Sequence, residues 1–108
     1  MASFRVAKSD EVLEGNALEA VIGNEVIAIF RSNAKLYALD GMCAHQGGPL
    51  ALGRIQNDCV TCPWHGWQYH LADGNNAATC KPMLRTYDVR EVAGEIFIEI
   101  PEARPTDS

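Results

Sequence analysis

Four residues of this 108-residue chain have the types and spacing to hold metal together. Cys43 and His45 are separated by one residue, and Cys62 and His65 by two. Each stretch offers one thiolate and one imidazole, and two chemistries suit such a set. A single zinc ion takes four such ligands tetrahedrally, usually from a cysteine pair followed by a histidine pair. Here cysteine and histidine alternate instead. With one residue between them, Cys43 and His45 reach a single ion awkwardly but two adjacent irons readily. The spacing therefore favours a 2Fe-2S rhombus clamped between two loops, with zinc as the competing metal.

The surrounding residues carry a resemblance. Cys43-Ala44-His45-Gln46-Gly47-Gly48-Pro49-Leu50 and Cys62-Pro63-Trp64-His65-Gly66-Trp67-Gln68-Tyr69 resemble the two cluster-binding boxes of the Rieske family. The approach Tyr37-Ala38-Leu39-Asp40, the later Gly74 and the run Arg85-Thr86-Tyr87-Asp88-Val89 also fall where such proteins have them. On these residues the chain is similar to a Rieske-type ferredoxin. The resemblance implies one Rieske-type 2Fe-2S cluster, with Cys43 and Cys62 on an inner iron and His45 and His65 on an outer iron near the surface. It also implies an all-β fold in a single domain, 1–108. A β-sandwich base, roughly 1–40 and 84–108, would carry an inserted small cluster-binding subdomain, roughly 41–83.

High-potential members of the family carry an extra cysteine in each box, and the two form a disulfide. The matching positions here are Gly48 and Trp64, so that bridge is absent. The loops would instead be held by glycine turns, Pro63 and aromatic packing. Those relatives also place a serine and a tyrosine after the glycine of the second box, where this chain has Trp67 and Tyr69. A potential in the low part of the Rieske range is implied, with Tyr69 either donating a hydroxyl to the Cys43 sulfur or merely packing. Pro49, Leu50, Pro63 and Trp64 are expected to shield the cluster, Trp64 and Trp67 to pack, and Pro82 to cap from a third loop. Gly47, Gly48 and Gly66 permit close backbone approach. The spare Cys59 and Cys80 are expected to be small buried hydrophobes, with Cys59 facing away from Cys62 and a disulfide between the spare pair left open. His70 is expected to face solvent.

The elements that must position these loops read as short strands between turn signals, with almost no helical periodicity. Strands are predicted over Phe4–Lys8, Ala17–Ile22, Glu25–Arg31, Lys35–Leu39, Cys59–Thr61, Trp67–His70, Thr86–Glu91 and Glu95–Ile100. Turns are predicted at Glu14-Gly15-Asn16, Gly23-Asn24, Ser32-Asn33-Ala34, Asp73-Gly74-Asn75-Asn76 and Ala93-Gly94. In the last strand Ile96, Ile98 and Ile100 share one face. Glu25-Val26-Ile27-Ala28-Ile29-Phe30 is apolar almost throughout, as for a strand covered on both sides. The tail 101–108 has little to bury and reads as mobile.

Composition narrows the function. A net charge of −5 and a pI near 5.0 oppose nucleic acid and anionic membrane surfaces, and make a cationic protein partner the simple expectation. No apolar run has the length of a membrane span, and the start Met1-Ala2-Ser3-Phe4-Arg5 lacks a signal-peptide core, so the chain reads as cytoplasmic. Only His70 is spare, which leaves too few histidines for the mononuclear iron of an oxygenase catalytic subunit. No glycine-rich dinucleotide fingerprint marks a reductase. The resemblance thus implies an electron carrier rather than an enzyme, taking electrons from a flavoprotein or ferredoxin reductase and passing them to a terminal oxygenase. The small Rieske-like subunit of an assimilatory nitrite reductase is the second reading, and a zinc-stabilised interaction module the third.

Overall fold

The computed structural model describes residues 2–42, 48–64 and 66–100. Nine strands run in chain order: β1 Ala2–Lys8, β2 Ala17–Ile22, β3 Glu25–Ser32, β4 Lys35–Asp40, β5 Arg54–Gln56, β6 Cys59–Thr61, β7 Gln68–His70, β8 Thr86–Val92 and β9 Glu95–Ile100. Two single 3-10 turns, Ser9–Glu11 and Leu50–Leu52, are the only helical elements among the described residues. Six strands form one antiparallel sheet in the order β1-β9-β8-β4-β3-β2, and β5-β6-β7 form a second. The large sheet is narrow at its middle, where β4 meets β8 through only Ala38↔Tyr87 and Leu39↔Thr86.

Turn chemistry explains the hairpins. Asn33 and Ala34 take φ values of 54° and 65°, and Ala93 and Gly94 take 52° and 80°. Such positive-φ pairs match the twist of the strands they join. The same device, Asn57 and Asp58 at 54° and 59°, joins β5 to β6.

Burial divides the chain into two cores that share β3. Ala28 and Phe30 face one core with Leu39, Leu50, Val60, Cys62, Tyr69, Leu71 and Leu84. Ile27 and Ile29 face the other with Ala7, Val12, Ala38, Ile96 and Ile98. All four β3 residues are fully buried, as a doubly covered strand requires. The first core lies beneath the small sheet and the second within the large one. On β9, Ile96 and Ile98 are fully buried and Ile100 partly. Ser32 at the end of β3 pins the small sheet to the large one, since its hydroxyl donates to the Asp58 carboxylate at 2.7 Å. The 101–108 tail lies outside the described residues.

Candidate metal centre

The strands β6 and β7 present the second box as a hairpin loop. Cys59 pairs with His70, Val60 with Tyr69 and Thr61 with Gln68, so the chain leaves the sheet at Cys62 and returns at Trp67. The Cys62 amide donates to the Trp67 carbonyl at 2.7 Å and closes the loop. Gly66 makes the reversal at φ +76°, a conformation costly for a side-chain-bearing residue. Cys62 is 1% exposed, and its Sγ accepts the Trp64 amide at 3.4 Å.

The first box is fastened in a parallel manner. Met42 and Pro49 form a bridge, and the Leu50 amide donates to the Gly41 carbonyl at 2.9 Å. Both ends of that loop are therefore held side by side. Cys43, Ala44, His45, Gln46 and Gly47 lie outside the described residues, as does His65. Of the four predicted ligands the structure thus places Cys62.

The two loops meet at Gly48. A Cβ at that position would lie 2.7 Å from Cys62 Sγ and 3.1 Å from Cγ and Cδ2 of the Trp64 indole. The two positions that the resemblance pairs as a disulfide elsewhere are thus neighbours here, joined by an indole resting on a glycine. This contact does the tying without a covalent bond.

Several expectations need correction. Trp64 is 48% exposed and Pro63 and Trp67 are exposed too, so neither indole is buried, although Trp64 packs against Gly48. The small sheet has three residues per strand and too little depth to cover two indoles. Leu50, by contrast, is fully buried. Cys80 is exposed at φ +61°, following a turn in which the Asn76 side-chain oxygen accepts the Ala78 and Thr79 amides. Cys59 is half-buried and faces away from Cys62 as expected, but its Sγ lies 3.4 Å from His70 Nδ1. His70 is half-buried by that contact rather than turned fully to solvent. Burial pushes the Cys59 thiol up, with Asp58 and Asp73 adding to the rise. Cys59 and Cys80 are not joined by a disulfide, which closes the question of a bridge between them. Tyr69 is fully buried at the centre of the first core.

The Rieske [2Fe-2S] domain profile matches residues 2–88. The chain belongs to the Rieske [2Fe-2S] family. It is 36% identical over 99 residues to the 3-phenylpropionate/cinnamic acid dioxygenase ferredoxin subunit of Escherichia coli K12, covering 88% of this Rieske protein and 91% of that subunit. It is also 34% identical over 106 residues to cholesterol 7-desaturase nvd 1 of Ciona intestinalis, of which it spans only 22%. Among solved structures, the ferredoxin of carbazole 1,9a-dioxygenase from Nocardioides aromaticivorans IC177 superposes with a TM-score of 0.83 at 23% identity, covering 94% of this chain and all of that one. That likeness shows the fold: an all-β Rieske ferredoxin fold.

One Rieske-type 2Fe-2S cluster is the cofactor of this protein, and when bound it supplies reversible one-electron transfer. The residues present fit it. Cys62 is a buried thiol at the start of the second-box loop with an amide aimed at its sulfur, and Gly48 leaves open the space beside it that any side chain would fill. Among the described residues no three His, Cys, Asp or Glu converge on a competing metal site.

Proposed function

We propose that Cys43, His45, Cys62 and His65 hold the cluster, and that this Rieske protein carries single electrons from a flavoprotein or ferredoxin reductase to a terminal oxygenase. Residues 41–83 act as the cluster-binding unit on a base built from 1–40 and 84–108. The observation that carries the proposal is the meeting of the two boxes at Gly48, which sets the described cysteine beside the loop that contains the other cysteine. The alignment over 91% of a dioxygenase ferredoxin subunit supports the acceptor class.

The chain's own residues would tune the transfer. Each electron adds negative charge at the sulfurs, and the Trp64 amide stabilises such charge on Cys62. Burial of Cys62 and Tyr69 strengthens that interaction by keeping the local dielectric low. No described helix is long and apolar enough to cross a membrane. Free thiols at Cys59 and Cys80, and a glycine-indole contact in place of a disulfide, support a reducing cytoplasmic location.

Mixing the reduced, cluster-loaded protein with a substrate-bound ring-hydroxylating oxygenase tests the proposal. Rapid reoxidation coupled to oxygenase reduction is expected, and a protein that stays reduced beside a competent oxygenase would contradict it.

A further inference from the structure

Charge along the small sheet is sorted by end. Arg54, Thr61 and Gln68 form the row of residues nearest the loop tips, and Gln56, Cys59 and His70 form the opposite row. The two carboxylates of this region, Asp58 and Asp73, both lie at that opposite end, where they act on the Cys59 thiol. No Asp or Glu occurs between Asp40 and Asp58, between Asp58 and Asp73, or between Asp73 and Asp88.

The second-box loop stands between two hollows. One, of about 660 Å³, is lined by Leu52, Arg54, Cys62 and Pro63, and the other, of about 470 Å³, by Trp67, Thr79, Lys81 and Met83. Gln68 lines both, and among the described residues no carboxylate lines either. Of those residues, one cation and no counter-ion faces each hollow. Elsewhere the arginines are neutralised locally: Arg5 by Glu95, Arg31 by Glu91, Arg85 by Glu25 and Asp40, and Arg90 by Glu99. Among the described residues no ion pair involves Arg54 or Lys81. Leu52, which lines the Arg54 hollow, is 76% exposed, and Met42 and Trp64 at the two box loops are 51% and 48% exposed. A chain of net charge −5 thus turns a locally positive, apolar end outward at its cluster loops.

We infer that this end docks a partner face whose apolar centre is rimmed by carboxylates, engaged by Arg54 on one side of the second box and Lys81 on the other. The inference rests on the carrier function proposed above and names the chemistry of its partner. It reverses the expectation from net charge, because at physiological salt charges more than about 10 Å apart are largely screened and the local field governs docking.

Small redox ions read this field without a protein partner. The reduced, cluster-loaded protein is oxidised by anionic hexacyanoferrate(III) and, separately, by cationic tris(phenanthroline)cobalt(III), each taking one electron, at several salt concentrations around 0.1 M. The hexacyanoferrate rate is expected to fall roughly twofold or more as salt rises, and the cobalt rate to rise. Arg54→Gln combined with Lys81→Gln should flatten or invert both trends. Lys8→Gln combined with Lys35→Gln, an equal change in net charge on exposed residues of the base, should leave them in place. Should the double variant load cluster poorly, the single Lys81→Gln variant reads half the effect. A hexacyanoferrate rate that rises with salt, or equal responses to the tip and base pairs, would overturn the inference. Failure to load any cluster would instead strike the proposed function.

Discussion

The two sheets of this Rieske protein solve different problems. The large sheet is long-stranded, and its charges are paired across neighbouring strands, as with Arg5 and Glu95 or Arg90 and Glu99. Its core of Ile27, Ile29, Ile96 and Ile98 is made stable by burial alone. The small sheet has three-residue strands, and among the described residues its β6–β7 loop and the first-box loop after β4 are fastened by two backbone hydrogen bonds, a bridge and an indole on a glycine. Such a thin structure needs an additional constraint, and a bound cluster supplies one. The contrast teaches that the base specifies the fold, whereas the tip depends on its ligand.

Removing a ligand should break the comparison most sharply. Cys62→Ala is expected to abolish the visible absorption and bound iron. Amide exchange should then accelerate across β5–β7 while β3 and β9 stay protected; uniform loss of protection would mean that base and tip are one cooperative unit. Ile98→Ala is the converse, costing about 2–5 kcal/mol in unfolding free energy from a cavity in the base while leaving the cluster spectrum unchanged. Gly48→Ala forces a methyl group against Cys62 Sγ and Trp64, so a loss of about 1–3 kcal/mol together with reduced loading should follow in melting and iron assays. Tyr69→Phe should lower the potential by on the order of 40 mV if its hydroxyl bonds a cluster sulfur, that being one hydrogen bond of about 1 kcal/mol carried by one electron. An unchanged potential in voltammetry would leave Tyr69 a packing residue.

The smallest effect belongs to the base. Arg31 holds the Glu91 carboxyl below its usual range. A depressed carboxylate stabilises the fold above its unfolded value and loses that contribution as pH falls through the lower folded value. The Glu91 carboxylate is exposed and screened, so acid titration of the melting temperature should show well under 1 kcal/mol lost below about pH 4.5, and Glu91→Gln should remove that increment.

Most of the base was legible because period-two apolarity and turn residues agree there, as in Glu95–Ile100 after Ala93-Gly94. β5 leaves no signal in the sequence because three residues with one apolar side chain, Ile55, show no periodicity. Asn57-Asp58, two residues tolerant of positive φ, was the available signal for its hairpin. The proposed ligand residues stand out in the sequence by type and spacing, but the sorting of charge does not. Arg54 and Lys81 are 27 positions apart in sequence and share a surface only because β5 and the 74–83 segment flank the same loop. The exposure of Trp64 and Trp67 was hidden for a related reason: residue type favours burial, and only the shallowness of a three-stranded sheet overrides it.

Central to this account is a cluster ligated by two cysteines and two histidines at the junction of the two loops. Pulsed EPR of the reduced protein labelled with 15N-histidine tests it most directly. Two coupled histidine nitrogens are expected, with Cys62→Ala abolishing the signal and His65→Ala removing the pair. A reduced cluster without histidine coupling, or a colourless protein containing one zinc per chain, would contradict it.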